Sequence, residues 1–162
     1  MRQLAFAAVA ALVLGATASA AEKIALDKLP KAVADAVAKR FPKAEMKSAA
    51  KDGAGDDAVY EVALKDGGKG IDVSVTAKGA ITQFEQELAF KDLPKAVAET
   101  FAAKYPKAAY TIIEAVVTVK DGKETLTYYE AVLVTADKKT LEAEVLPDGK
   151  FKAEIDKTPK KN

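Results

Sequence analysis

The chain has 162 residues and a formal net charge of +1, and charged residues make up 30% of its composition. It contains no cysteine and no histidine, which excludes disulfides, thiolate metal sites and catalysis by a thiol or an imidazole. Its lysines are spread among acidic residues and form no basic, aromatic-rich footprint, so we predict no nucleic-acid partner.

Residues 1–21 have the pattern of a secretory signal peptide. A basic start at Arg2 is followed by an apolar run from Leu4 to Leu14 and by the small residues Ala18 to Ala20, which suit signal peptidase. The apolar run is shorter than the ~20 residues that a membrane-spanning helix needs. We therefore predict an exported bacterial protein, periplasmic or extracellular, with no membrane segment after the signal is cleaved.

The rest of the chain contains an internal repeat. The run from Leu29 to Ala34 recurs as Leu93 to Ala98, and the run from Phe41 to Ala44 recurs as Tyr105 to Ala108 with the same internal spacing. Self-similarity at such a period indicates two copies of one structural unit.

These copies divide the chain into a first repeat over residues 22–88, a second repeat over residues 89–156 and a basic tail over residues 157–162. We expect the tail to be disordered because it is terminal, charged and contains a proline.

Each repeat begins with an amphipathic helix. Large apolar residues recur every fourth position, which predicts one buried stripe. A proline opens each helix and a second proline ends it. The stripe residues are Leu29, Val33, Val37 and Phe41 in the first repeat, and Leu93, Val97, Phe101 and Tyr105 in the second.

After each helix the hydrophobic pattern alternates and is interrupted by turns rich in glycine and aspartate. Short connections between successive strands favour antiparallel neighbours. We predict an α+β fold of two tandem repeats, each one helix packed on a four-stranded antiparallel meander. The predicted strands are 44–51, 59–65, 71–77 and 81–87, then 110–120, 124–136, 140–146 and 151–156.

The motifs of both repeats resemble the PepSY-like family. They are a Leu-Pro-x-x-Val helix, an aromatic-Pro-x-Ala ending, and a strand that contains Tyr60 to Val62 or Tyr129 to Ala131. Within the family the chain is similar to the β-lactamase-inhibitor-like proteins of bacterial envelopes. The resemblance implies tandem helix-and-sheet modules without catalytic chemistry. Relatives include propeptides that restrain thermolysin-type peptidases and an inhibitor that binds a β-lactamase with the open face of its sheets.

Few residues qualify as catalytic candidates. The only serines beyond the signal peptide are Ser48 and Ser74, and neither has a histidine to activate it. Paired carboxylates can serve glycoside hydrolysis when an apolar pocket keeps one protonated, but the pairs here stand among lysines and are predicted to be solvated. We predict no enzyme activity. The two pairs are Glu85 with Glu87 and Glu142 with Glu144.

A glycine-rich loop with Asp52, Asp56 and Asp57 is a candidate calcium site. Its spacing misses the EF-hand pattern, because alanine and aspartate occupy positions that need a ligand and a glycine. We interpret it as a hairpin turn and predict no metal and no cofactor.

The outer face of the second sheet is unusually apolar and is predicted to bind a partner. If Ile113 faces the helix, alternation sends neighbouring apolar, tyrosine and glutamate side chains outward. The same patch is also compatible with packing inside this molecule, with burial against a dimer mate, or with a different strand register. The predicted binding residues are Tyr110, Ile112, Glu114, Val116, Tyr128, Glu130 and Val132.

The sequence therefore predicts a secreted, non-catalytic protein-binding or inhibitory module that uses exposed sheet faces. Its expected partner is another envelope or secreted protein, such as a peptidase or another hydrolase, and a dimer is compatible with the pattern. The alternative is an envelope protein that binds a small ligand, such as a peptide or a sugar, in a groove on the sheet.

Overall fold

The computed structural model describes residues 21–159 and shows one antiparallel sheet of nine strands that lie side by side in chain order. The signal peptide is predicted over residues 1–21, and residues 1–20 of it lie outside the described residues. The strands are β1 (Glu22–Ile24), β2 (Glu45–Asp52), β3 (Val59–Asp66), β4 (Lys69–Thr76), β5 (Ile81–Glu87), β6 (Ala109–Lys120), β7 (Lys123–Val134), β8 (Thr140–Val145) and β9 (Phe151–Asp156).

The prediction of two repeats, each a helix on its own four-stranded meander, is wrong, because the strands form a single sheet. Residues 83–87 of β5 pair with residues 114–118 of β6, and the Leu88 amide donates to the Ile113 carbonyl at 2.9 Å. Separate meanders would leave backbone N–H and C=O groups unpaired along both edges, and joining them satisfies these groups. Strand β1, which pairs with β2, has no counterpart among the predicted strands.

The two predicted helices are present as α1 (Lys31–Arg40) and α2 (Lys95–Lys104). Proline precedes each helix, where its missing N–H costs no hydrogen bond. The amide of the residue that follows each helix donates to the carbonyl four residues earlier, and the backbone then leaves the helical conformation. The flanking residues are Pro30 and Phe41 for α1, and Pro94 and Tyr105 for α2.

Each helix packs on its own cluster of buried side chains. The first cluster joins Val33 and Val37 of α1 to β2, β3, β4 and β5. The second joins Val97 and Phe101 of α2 to β6, β7 and β8. Val117 of β6 packs against the first cluster even though its strand belongs mostly to the second. The continuous sheet therefore couples the two cores.

Both helices lie on the same face of the sheet. Ile113 and Val117 are four residues apart on β6, so their side chains point the same way. Ile113 lies in the core under α2, and Val117 packs against the core under α1. The opposite face of the sheet is left without a helix among the described residues.

Two glycine turns fix the distance between each helix and the sheet. Gly79 has φ +82°, and a Cβ there would lie 2.6 Å from the Ala32 carbonyl oxygen. Gly149 has φ +86°, and a Cβ there would lie 2.8 Å from the Ala96 Cβ. Only glycine combines this conformation with so close an approach to the first turn of a helix.

Candidate functional site

The candidate site is the sheet face opposite the two helices, here called the open face. Six of the seven predicted binding residues lie on it as three directly opposite pairs across β6 and β7, although their role in binding stays a prediction. The pairs are Ile112 with Val132, Glu114 with Glu130, and Val116 with Tyr128.

Tyr110 lies on the other face, so its predicted outward orientation is wrong. A β-bulge between Tyr110 and Ile112 makes Thr111 an extra residue of β6, and this shifts the alternation of side chains by one position. The Tyr110 ring packs against Phe90 and Phe101, with ring centroids 4.8 and 6.1 Å away. Its hydroxyl is buried and has no hydrogen-bond partner among the described residues.

Five buried glutamates lie together on the open face, and we call them the glutamate cluster. Strand pairing places Glu130 directly between Glu114 and Glu144. Like charges opposite each other in antiparallel strands are destabilising, so this arrangement does not serve stability. The cluster consists of Glu85, Glu114, Glu130, Glu142 and Glu144, whose exposed fractions run from 3% to 8%.

The prediction that Glu85, Glu142 and Glu144 are solvated is wrong, because all three are buried. Part of the cover comes from the neighbouring strand β9. The Lys152 ammonium contacts the Glu144 carboxylate and lies 4.1 Å from the centroid of the Tyr128 ring. Bulges in the β6–β7 pairing also bend the strands locally.

One group of three carboxylates within the cluster is paired with lysines. It joins Glu130 to Glu142 and Glu144, and one oxygen of each lies within 4.8 Å of the others. Lys157 Nζ lies 3.0 Å from Glu142 Oε2, and Lys152 Nζ contacts Glu144. Lys157, which belongs to the predicted disordered tail, also donates its amide to the Thr140 carbonyl of β8. Two of the three carboxylates in this group, Glu142 and Glu144, therefore form an ion pair with a lysine.

The other group of three, Glu85, Glu114 and Glu130, is here called the unpaired group. One oxygen of each also lies within 4.8 Å of the others. Glu85 accepts a hydrogen bond from Gln83 Nε2 at 3.0 Å. Glu114 and Glu130 are 5% and 4% exposed, and neither accepts a hydrogen bond nor forms an ion pair within residues 21–159. These two carboxyl groups therefore have no counter-cation among the described residues.

Burial, and to a smaller extent nearby carboxylates, raise the pKa of Glu85, Glu114 and Glu130 to about 8. At Glu114 the largest contribution from a carboxylate comes from Asp72. The Lys157 ammonium opposes the shift at Glu130. Without an added cation, these three carboxyl groups therefore hold protons at neutral pH.

An apolar row borders the glutamate cluster. Ile112 and Val132 are directly opposite each other and partly exposed. Ile155 of β9 is 38% exposed and lies opposite Glu142, which in turn pairs with Val132. Val116, in contrast, is 0% exposed. A partner can therefore touch Ile112, Val132 and Ile155, but it cannot reach Val116.

The sequence matches the family described as "Putative beta-lactamase-inhibitor-like, PepSY-like" over residues 16–83 and 58–151. The chain belongs to this PepSY-like family. The resemblance seen in its sequence motifs is thereby confirmed.

Several solved structures share the fold of this PepSY-like chain. A BLIP-like protein from Bacteroides fragilis is 19% identical with a TM-score of 0.61, over 82% of this chain and 89% of the other. One of the "putative periplasmic proteins" of Bacteroides eggerthii is 16% identical with a TM-score of 0.65, over 80% and 89%. A DUF2874 family protein from Bacteroides uniformis is 15% identical with a TM-score of 0.63, over 78% and 88%. No curated protein matches the sequence.

Within residues 21–159 of the PepSY-like chain, no helix has the length and apolar character needed to cross a membrane.

The glycine-rich loop that contains Asp56 and Asp57 forms a short 3₁₀ helix, Gly55–Asp57, between β2 and β3. The Asp56 Oδ2 atom lies 3.2 Å from Lys78 Nζ.

A groove lies beside α1 on the helix-covered side of the sheet. It measures about 390 Å³ and is lined by residues that include Ala36, Arg40, Gly79 and Glu124. The Arg40 guanidinium donates to both Glu124 carboxylate oxygens, at 2.7 and 3.0 Å. This groove lies away from the open face, so the alternative of a ligand groove on the sheet stays a prediction.

Proposed function

We propose that this PepSY-like chain is an exported, non-catalytic binding or inhibitory protein that contacts a partner protein in the bacterial periplasm with its open face. The observation that carries the proposal is the accessible apolar row of Ile112, Val132 and Ile155 beside the glutamate cluster, on a face that no described helix covers. The inhibitor-like description of the family supports it. The periplasmic description of the Bacteroides eggerthii neighbour supports the location.

The apolar row indicates the chemistry of the partner. Ile112 and Val132 are partly exposed and Ile155 is 38% exposed. We expect a partner whose contact surface includes an apolar patch that covers this row, as the surface of a secreted hydrolase can present.

Site-specific photo-crosslinking in the host cell tests this proposal. A benzophenone amino acid is placed at Ile155 on the open face, which is 38% exposed, and as a matched control at Leu126, which is 37% exposed. Leu126 lies opposite Val117 and so faces the helix-covered side. We expect Ile155 to crosslink to a second protein and Leu126 not to do so.

The affinity of the purified pair then measures the contribution of the apolar row. Ile155→Asp is expected to weaken binding by about tenfold or more, and it leaves the core intact because the side chain is exposed. Equal crosslinking from both positions would contradict the proposal, as would the absence of any product at Ile155. Products made only of two copies of this chain would identify a dimer interface instead of a separate partner.

A further inference from the structure

The outer edge of β9 is an open edge of the sheet. β9 is the last strand in the strand order, and no described strand pairs with its far side. The Lys157 amide donates to the Thr140 carbonyl of β8. In an antiparallel pair, residues that bond to the neighbouring strand alternate with residues whose backbone points away from it. The backbone N–H and C=O groups of Glu154 and Asp156 therefore point outward from the sheet.

The internal repeat makes β9 the counterpart of β5. The pairing of β4 with β5 contains a β-bulge next to Val75, and the pairing of β8 with β9 contains one next to Val145. These two valines lie opposite Ile81 of β5 and Phe151 of β9. The two strand pairs therefore have the same register and the same irregularity.

The outer edge of β5 shows what such an edge can hold. Strand β6 pairs with it, and the Leu88 amide donates to the Ile113 carbonyl at 2.9 Å. By alternation, the backbone of Phe84 also bonds to β6. Phe84 stands three residues after Ile81, as Glu154 stands three residues after Phe151. The first repeat thus has an added antiparallel strand at the edge that β9 leaves open among the described residues.

Exposed apolar side chains lie on both sides of the β9 edge. Four large hydrophobic residues are exposed in the described part of the chain, and two of them, Phe151 and Ile155, belong to β9. Phe151 lies opposite Val145 of the core under α2, so it is on the helix-covered side. Ile155 lies opposite Glu142 on the open face. A strand added to this edge would cover apolar surface on both sides.

The charges of β9 define what kind of strand fits. Glu154 and Asp156 are exposed and lie opposite Ala143 and Leu141 of the core under α2, so both carboxylates are on the helix-covered side. Opposite charges that face each other across antiparallel strands are stabilising. The added strand should therefore place lysine or arginine opposite these two residues. Its alternate side chains, which lie beside Ile155, should be apolar.

A second copy of this chain does not meet that requirement at β9. Directly opposite residues of two antiparallel strands share a face of the sheet. Two β9 strands would therefore place Glu154 against Glu154, Glu154 against Asp156, or Asp156 against Asp156. Each arrangement opposes like charges and is destabilising. Charged side chains on an edge strand commonly prevent such self-association.

We propose that the edge of β9 binds an extended segment of a partner protein in which basic and apolar residues alternate. The segment adds to the sheet as a further antiparallel strand. Backbone hydrogen bonds to Glu154 and Asp156 supply affinity, and the alternating side chains supply selectivity. This edge is a second surface and goes beyond the proposed function: it shares Ile155 with the apolar row but does not depend on Ile112 or on β7.

A synthetic peptide tests the edge on the purified protein. It has six residues, the length of β9, and alternates lysine with valine. We expect a Kd between about 0.1 and 1 mM by NMR titration. At ten times the Kd, solvent exchange of the Glu154 and Asp156 amides should slow about tenfold, because only the free fraction exchanges. The Ala153 and Ile155 amides already bond to β8 and should change little. A peptide that alternates glutamate with valine should not bind.

Reversing one charge tests the selectivity. Asp156→Lys is expected to weaken binding of the lysine–valine peptide about fivefold or more and to create binding of the glutamate–valine peptide. Asp35→Lys makes the same change of charge on α1 and should alter the Kd less than about twofold. Both residues are exposed, so the core stays intact. Ile112→Ala shortens the apolar row and should leave the affinity for the peptide unchanged.

The absence of slowed exchange at Glu154 and Asp156 in millimolar lysine–valine peptide would overturn the proposal. Equal binding of both peptides would refute the role of the two carboxylates. Slow exchange of these amides without peptide, increasing with protein concentration, would identify a second copy as the occupant and also refute the proposal. Loss of peptide binding in Ile112→Ala would place the peptide on the open face instead. Photo-crosslinking at the open face does not alter these readings, so the two proposals can fail separately.

Discussion

Glu114 and Glu130 are direct neighbours across strands β6 and β7, and both are almost completely buried. When both carboxyl groups are ionised, the pair opposes folding, since each carboxylate has lost water and faces the other. Glu144 continues the line on β8. Such a line of glutamates contributes nothing to the stability of the sheet, so its energetic cost should be measurable as soon as pH or sequence removes the charges.

The stability of the parent protein in EDTA is expected to fall as pH rises from about 5 to 9. The pKa values of Glu85, Glu114 and Glu130 are about 8 in the folded chain, against the model value of 4.5 that applies to the unfolded chain. Between these values the folded state binds more protons, so the free energy of unfolding decreases with pH. The stabilisation from these bound protons is fully present below pH 4.5, the pKa of glutamate in the unfolded chain, and it is lost as pH rises through about 8. Urea denaturation should show a loss of about 2 kcal/mol or more.

The control for this pH dependence is the triple glutamine variant of Glu85, Glu114 and Glu130, whose free energy of unfolding should change little between pH about 5 and 9. Other charged groups that face the unpaired group also contribute to the pH dependence. A parent profile that rises with pH would contradict the assignment of protons to these groups. The facing groups are Asp72 on β4, Glu87 on β5, Glu142 and Glu144 on β8, Lys152 on β9 and Lys157 after it.

Glu114→Gln alone is expected to stabilise the protein, and the gain should depend on pH. At pH about 9 in EDTA the substitution removes a buried charge that faces Glu130, which should raise the free energy of unfolding by about 1–2 kcal/mol. At pH about 5 both residues are neutral in the folded state and the difference should nearly vanish. Urea denaturation at the two pH values measures it. Glu99→Gln on α2 serves as the exposed control, and a destabilised Glu114→Gln at pH 9 would contradict the prediction.

Lys157→Met is expected to destabilise the protein through Glu142. The lysine lies 3.0 Å from Glu142 Oε2, whose side chain is only 8% exposed, and removing one partner of a buried pair leaves the other charge uncompensated. We expect a loss of about 1–3 kcal/mol at pH 7 in EDTA. Adding Glu142→Gln should recover most of it in a double-mutant cycle.

The control for this cycle is Lys31→Met, because Lys31 and Asp35 form an exposed pair on α1 and should contribute less than about 0.5 kcal/mol. If Lys157→Met and Glu142→Gln were additive, the ion pair would have no energetic role.

The local pattern of the sequence predicted both helices and the outward orientation of the β7 side chains. Prolines define the ends of α1 and α2 without reference to the rest of the fold. On β7 the match between Tyr129 and Tyr60 places Tyr128, Glu130 and Val132 together on the outward side, and the structure has them there. These features depend on neighbours in the chain, which the sequence displays.

Other features depend on contacts between distant strands, and the sequence pattern does not display those. The single extra residue Thr111 moves Tyr110 to the opposite face, and nothing in the alternation of apolar residues marks a bulge there. The pairing of β5 with β6 unites two meanders that look complete on their own. The burial of Glu85 follows from that pairing, because its acidic neighbours Glu114 and Glu130 belong to the other half of the sheet.

Tyr110→Phe and Tyr105→Phe should have opposite effects on stability. The Tyr110 hydroxyl is buried without a partner among the described residues, and an unsatisfied buried hydroxyl carries a desolvation cost. Its removal should leave the free energy of unfolding unchanged or raise it by up to about 1 kcal/mol. The Tyr105 hydroxyl donates to Glu154 Oε2 at 2.5 Å, so its removal should cost about 1–2 kcal/mol.

Both tyrosines pack in the core under α2, so the two substitutions remove the same atom from similar apolar surroundings and control for each other. Thermal and urea denaturation at pH 7 give the comparison. Far-UV circular dichroism should be unchanged in both variants, since the rings stay in place. A Tyr110→Phe variant less stable than the parent would contradict the prediction and show that its hydroxyl forms a stabilising hydrogen bond.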